Sequence, residues 1–259
     1  MSQTIGWNSF VDTQAEAEHR RLRLLQESFD PFSFRQLENL GVRPGSRCLE
    51  VGAGAGSVAR RMAELAGPDN VVATDLSLAF LGSLTDLGVT VLRHDVTTDD
   101  APGEFDVIHT RFVLEHLPER EAVIKRLSSW LKPGGWLLIE IGTPLPELSS
   151  HPATRRTMAA LTRVMADRVG TAPEWARTLP VPLEEAGLVD CAAEGQVLPA
   201  RGGQPLAGWL KNTTKLVEEH ALATGLVTRE VLDEAYATYE NTSFVDYSWM
   251  TVGARGRRG

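Results

Sequence analysis

The sequence predicts an α/β chain whose mostly parallel sheet is covered by helices on both faces. Three observations predict it. Short apolar runs of buried-strand type recur between residues 48 and 141, amphipathic helical patterns separate them, and glycine or proline turns punctuate the boundaries. Strands that alternate with helices in this way imply right-handed crossovers and a parallel sheet.

Taken in order, residues 14–30 are charge-rich with Leu22, Leu24, Leu25 and Phe29 interspersed, which predicts an amphipathic helix. Asp30-Pro31 is expected to break it, and a second helix carrying Phe34, Leu37 and Leu40 to run up to Gly41. Cys48-Leu-Glu-Val51 reads as the first buried strand, and Ser57 to Leu65 as a helix ended by Gly67-Pro68. Strands follow at 71–74, 89–93, 105–109 and 136–141, with helices at 78–87 and 118–131 between them. Beyond Gly142 the pattern changes to helices at 152–169, 174–186, 205–223 and 228–239, with strands at 189–197 and 244–254. These extra helices are expected to cap the sheet within a single domain.

At 259 residues the chain can bury a sizeable core without staples, and 42% hydrophobic with 23% charged residues is ordinary for a globular protein. A net charge of −8 argues against attraction to nucleic acid or anionic membrane. The basic run Arg255-Gly-Arg-Arg258 is expected to be a solvated tail. Cys48 and Cys191 lack metal-type spacing and read as small buried hydrophobes in a reducing compartment. With neither a signal-peptide core nor a membrane-length apolar run, the chain is expected to be cytoplasmic.

The informative stretch is Glu50-Val-Gly52-Ala-Gly54-Ala-Gly56-Ser57, which leaves a strand and opens a helix. Glycines there permit a tight turn and let a ligand approach backbone N–H groups at the helix start. A dinucleotide fingerprint is G-x-G-x-x-G/A, whereas here Ser57 stands at its third position. An acid at Glu50 suits a ligand with an ammonium group and disfavours a pyrophosphate. Asp75, nineteen residues past Gly56, ends the second strand, where a carboxylate can accept both ribose hydroxyls. Asp95 follows the third strand, placed to accept from an adenine amino group. Asp75 or Asp95 alone could equally cap a strand end; three acids at the ends of three successive strands are harder to obtain by accident.

Here the sequence resembles the class I methyltransferases that use S-adenosylmethionine, within them the UbiE-like small-molecule branch of bacterial natural-product type. The resemblance is carried by Leu49-Glu-Val-Gly-Ala-Gly-Ala-Gly56, Ala73-Thr-Asp75, His94-Asp-Val96, Thr110-Arg-Phe-Val-Leu-Glu-His-Leu-Pro118 and Leu131-Lys-Pro-Gly-Gly-Trp136. It implies a Rossmann-like sheet of seven strands, the last one antiparallel. It divides the single domain into an N-terminal helical cap (1–40), a cofactor core (41–142), substrate-side helices with strand six (143–242) and a last strand with tail (243–259). By the same resemblance Glu50, Gly52, Gly54, Gly56 and Ser57 hold the methionyl end of the cofactor. Asp75 and Leu76 meet the ribose, Asp95 and Val96 the adenine, and Arg111 and Phe112 line the site.

Methyl transfer from a sulfonium is an in-line displacement that needs alignment and, for a hydroxyl or amine acceptor, a base. Neither a metal nor a covalent enzyme intermediate is required. Glu115 and His116 are the candidate bases, although either could instead be a packed residue at a helix start. Trp7, Trp209 and Tyr236 are candidates for the acceptor pocket, against the commoner role of aromatics as core. The expected partner is a small-molecule acceptor, with a homodimer allowed. Two other readings stay open. One is a cofactor-binding relative that catalyses a non-methylating rearrangement or cyclisation. The other is a nicotinamide oxidoreductase, which Ser57 and Glu50 disfavour.

Overall fold

The computed structural model describes residues 15–259, and in it the apolar runs between 48 and 144 become five strands. These are β1 (Cys48–Val51), β2 (Val71–Asp75), β3 (Thr90–Arg93), β4 (Phe105–Arg111) and β5 (Leu131–Pro144). β1 pairs in parallel with β2 and β4, β2 with β3, and β4 with β5. Four later strands follow: β6 (Val189–Val197), β7 (Ala200–Arg201), β8 (Val245–Asp246) and β9 (Trp249–Arg257). The main sheet has seven strands in the order β3-β2-β1-β4-β5-β9-β6, while β7 and β8 form a separate two-stranded ribbon. β9 runs antiparallel to β5. Gly134 N–H donates to the Arg258 carbonyl, Arg258 N–H to that of Gly135, and Leu145 N–H to that of Ser248, so one strand's numbers rise as the other's fall.

The helices are α1 (Ala15–Asn39), α2 (Ser57–Ala66), α3 (Gly82–Leu87), α4 (Arg120–Ser129), α5 (Pro152–Val164), α6 (Val181–Glu185), α7 (Pro205–Leu216), α8 (Glu218–Ala223) and α9 (Arg229–Glu240). α2 forms because Val58, Ala59, Met62, Ala63 and Ala66 recur at helical spacing and bury one stripe; Gly67, at φ 92°, ends it. α9 begins where the Thr228 hydroxyl accepts the Val231 N–H.

Several boundaries differ from the sequence expectation. Pro31 lies inside one continuous helix rather than between two. A mid-helix proline costs about 3 kcal/mol, and the buried Phe29, Phe32 and Leu37 on either side of it offset that cost. The helix expected at 78–87 starts only at Gly82, and the segment expected at 174–186 splits into a 3-10 turn (Pro173–Thr178) and α6. A π turn (Met165–Val169) closes the segment after α5, and the helix expected at 205–223 divides into α7 and α8. The last strand begins at Trp249 rather than residue 244, because Val245 and Asp246 pair with Arg201 and Ala200. The basic run is not a solvated tail either. Arg255 and Arg257 lie in β9, Arg257 pairs with Asp190, and the Arg258 guanidinium donates to the Ser129 carbonyl at the end of α4. Cys48 is buried as expected, but Cys191 is half-buried on β6. No described helix is long and apolar enough to cross a membrane.

The chain divides into two compact units. One comprises Asp30–Ile141, Glu174–Gly195 and Val252–Gly259 and holds most of the main sheet. Its principal apolar cluster joins Leu37, Cys48, Met62, Val71, Leu84, Val107 and Leu138, which brings α1, α2 and α3 onto the strands. The other comprises 15–29 of the described residues with Gly142–Pro173 and Gln196–Thr251. Its core is built from Leu161, Val164, Leu216, Leu232 and neighbours, with an aromatic group in which Trp209 meets Phe29 at 5.4 Å and Trp249 at 4.7 Å between ring centroids.

Candidate active site

The parallel register places Glu50, Asp75 and Asp95 along the carboxyl ends of β1, β2 and β3, since Glu50 aligns with Ala73 and Asp75 with Arg93. That rim is where open α/β sheets take ligands. The turn after β1 is tied to β2 by its backbone: Gly52 N–H and Ala53 N–H both donate to the Thr74 carbonyl, at 2.8 and 2.9 Å. Gly52 sits at φ 72°, and a Cβ there would come within 2.2 Å of Val113 Cγ2, so only glycine fits. Asp75 joins the two sides of the turn. One carboxylate oxygen accepts the Gly54 N–H at 2.8 Å, the other the Ser77 N–H at 3.0 Å.

Asp95 accepts the backbone N–H and the hydroxyl of Thr97 through one oxygen, at 2.9 and 2.6 Å, and so caps the turn after β3. The following Val96 is buried, and its carbonyl accepts from Arg126. Leu76 is 49% exposed just beyond β2, a large apolar side chain left open at the rim. Gly54 and Gly56 take positive φ, and the Ser57 hydroxyl donates to Asp30 at 2.8 Å. Phe112 adopts φ 56° directly after β4, a left-handed conformation that a bulky residue rarely takes. Glu115 and His116 lie in the short 3-10 turn that follows, Glu115 buried and His116 half-buried. Trp209 and Tyr236 belong to the other unit. Trp209 sits among its aromatics, and the Tyr236 hydroxyl donates to Glu218 at 2.8 Å. Trp7 lies outside the described residues.

Sequence reasoning missed a buried polar cluster beside the glycine turn. Glu50 aligns with His109 across β1 and β4, and Arg111 with Glu140 across β4 and β5, so these four side chains share one face of the sheet. His109 Nδ1–H donates to Glu50 Oε2 at 2.7 Å, and its Nε2 stands 3.6 Å from Glu140 Oε2. Ser33 of α1 donates to that same Glu140 oxygen at 2.5 Å and accepts from Arg111 at 2.8 Å. Arg111 also pairs with Asp30 at 3.0 Å. Burial alone would discharge the His109 ring, but the carboxylates of Glu50 and Glu140 outweigh it and lift its pKa to about 9. Burial pushes the carboxyls of Asp30 and Glu50 up, against the pull of Arg111 and His109. The cluster thus sets three acidic side chains against two basic ones, and both Glu140 Oε1 and His109 Nε2 are buried without a hydrogen-bond partner. The one local signal was Glu140, which interrupts the apolar run from Trp136 to Ile141; β4 also carries Asp106, Thr110 and Arg111, so His109 does not stand out there.

A glycine turn between parallel strand and helix, with acids along one carboxyl rim and an antiparallel strand inserted near the far edge, defines an α/β protein of the Rossmann-like class. A family described as "Methyltransferase domain" matches residues 14–190, and the chain belongs to that family. Among curated relatives, "Methyltransferase str2" of Strobilurus tenacellus is 32% identical over 68% of this chain and 65% of its own length. A "Ubiquinone biosynthesis O-methyltransferase" of Chromobacterium violaceum is 37% identical over 36% of this chain and 43% of its own. The match thus spans less than two thirds of either relative. Among solved structures, Haemonchus contortus phosphoethanolamine N-methyltransferase 2, bound to S-adenosylhomocysteine, covers 98% of this chain and 60% of its own with a TM-score of 0.64. At 16% identity that likeness is one of fold.

Proposed function

We propose that the chain transfers the methyl group of S-adenosylmethionine to an oxygen, nitrogen or carbon atom of a small-molecule metabolite. The observation that carries the reading is the rim itself: a glycine turn with acids at three successive strand ends, beside a buried polar cluster in which Glu140 Oε1 has no hydrogen-bond partner. The cofactor fits that donor set. It has a cationic methionyl end, two ribose hydroxyls and an adenine amino group, and when bound it supplies a methyl carbon on a positively charged sulfur.

Glu50 and the backbone of Gly52, Gly54 and Gly56, with Ser57, hold the methionyl end. Asp75 accepts from the ribose hydroxyls with Leu76 covering that side, Asp95 and Val96 hold the adenine, and Arg111 and Phe112 fix the end of β4. Glu115 or His116, in the turn after β4, takes the proton from an acceptor hydroxyl or amine. The net charge of −8 fits a free small-molecule acceptor better than a nucleic acid. On this reading the enzyme works in the cytoplasm, and a homodimer is compatible with it.

Calorimetric titration with S-adenosylhomocysteine tests the proposal. Asp75→Ala is expected to weaken binding roughly 10- to 100-fold, the loss of a charged acceptor, with the circular dichroism spectrum unchanged. Equal affinity in the two proteins would remove the reading. Transfer of labelled methyl to a candidate aromatic or polyketide-like acceptor distinguishes methylation from a rearrangement.

A further inference from the structure

His109 lies fully buried in the middle of the sheet with one ring nitrogen directed at β1 and the other at β5. Its bond to Glu50 occupies Oε2, and no hydrogen bond engages Oε1 among the described residues. On the far side of the ring, Glu140 is held by the Ser33 hydroxyl, which Arg111 in turn holds. The result is a chain of polar contacts from α1 through β5 and β4 to the acid two residues before Gly52, in which the step from Glu140 to His109 is an ion-pair contact of 3.6 Å and His109 Nε2 has no hydrogen-bond partner. One step down the same strands, Cys48, Val107 and Leu138 fill the corresponding places with apolar atoms. The sheet therefore does not need charge at this level to pack.

We infer that His109 is a positioning residue for the cofactor site: its Nδ1–H fixes the Glu50 carboxylate and leaves the second oxygen for a cationic ligand group, while Glu140, held by Ser33, faces the other ring nitrogen as a counter-ion. The inference rests on the proposed cofactor and adds to it a residue that does not touch the ligand. Among the described residues, Glu50 on β1 and Glu140 on β5 stand against the ring; Arg111 on β4 and Asp30 on α1 complete the cluster, with the Cys48 thiol one step below Glu50.

Two substitutions separate positioning from packing. The amide of His109→Asn can reproduce the Nδ1 donor toward Glu50, whereas His109→Gln fills more of the ring's volume but extends toward Glu140. S-adenosylhomocysteine affinity, read by calorimetry, is expected to fall within about threefold for Asn and about tenfold or more for Gln. The turnover number at saturating cofactor should stay within about twofold in both. The opposite ranking, or wild-type affinity in both variants, overturns the inference, because a space-filling role follows volume. A wild-type protein that binds no S-adenosylhomocysteine overturns the proposed function itself, and this inference with it. If the histidine variants fold poorly, Glu140→Gln keeps the shape and removes one charge. Its His109 imidazole signal, followed by nitrogen-15 NMR in histidine-labelled protein, should titrate below the wild-type value near 9, with weaker ligand binding. An unchanged titration and affinity overturns the inference.

Discussion

Two neighbouring levels of one sheet face carry opposite chemistry. Toward the amino ends of the strands, Cys48, Val107 and Leu138 pack against Met62, Ala63 and Leu84, with no charge among them. Two residues further along each strand stand Glu50, His109 and Glu140, a buried polar cluster with Arg111 and Asp30. The same backbone geometry thus serves two purposes. The lower level supplies stability through apolar burial, of order 1.5–3 kcal/mol per large side chain. The upper level is poorly justified as a source of stability, since buried ion pairs often do no better than apolar substitutes. Its place toward the carboxyl ends of the strands fits the proposed cofactor site.

The largest expected effect comes from exchanging the two chemistries. Val107→Glu puts an unpaired carboxyl into the apolar level and is expected to destabilise by about 4 kcal/mol or more; chemical denaturation reads the change. A loss below about 1 kcal/mol would mean the lower level can pair or hydrate a charge, and the contrast would fail.

An intermediate effect is expected from pH. The His109 pKa rises from an ordinary 6.5 to about 9 on folding. Its contribution to stability is then fully present below about 6.5 and is lost as pH rises through about 9. Melting temperature should decline over that window in the wild type and decline less in His109→Asn. Parallel curves for the two proteins would show that the ring carries no charge in the folded state.

The smallest effect is expected at the surface. Arg61 pairs with Glu38 and Glu64, whose side chains are more than half exposed. Arg61→Ala should change stability by no more than about 0.5 kcal/mol, less again in high salt. A loss comparable to that of the buried cluster would mean that position in the fold does not govern what a charge is worth here.

The alternation from Cys48 to Ile141 was legible because short apolar runs are bounded by turn residues, and Glu50, Asp75 and Asp95 were legible because each lies at or just past the carboxyl end of such a run. Asp30, Ser33, His109 and Glu140 were not. Their meaning depends on which residues stand side by side across strands and on where α1 crosses them, and a linear sequence carries neither. Pro31 misled for a related reason. The local rule is sound, but burial of Phe29, Phe32 and Leu37 outweighs it. At the other end, the ribbon of β7 and β8 draws off Val245 and Asp246, which no local pattern announces.

The insertion of β9 between β5 and β6 has a consequence for the order in which the molecule can assemble. β6 ends at Val197, while its neighbour in the sheet does not begin until Trp249. While the ribosome is still making the intervening residues, β6 has no sheet to join and β5 keeps an open edge. Closure across that gap is a long-range event of the kind that slows folding, and until it happens two strand edges are available to the wrong partner.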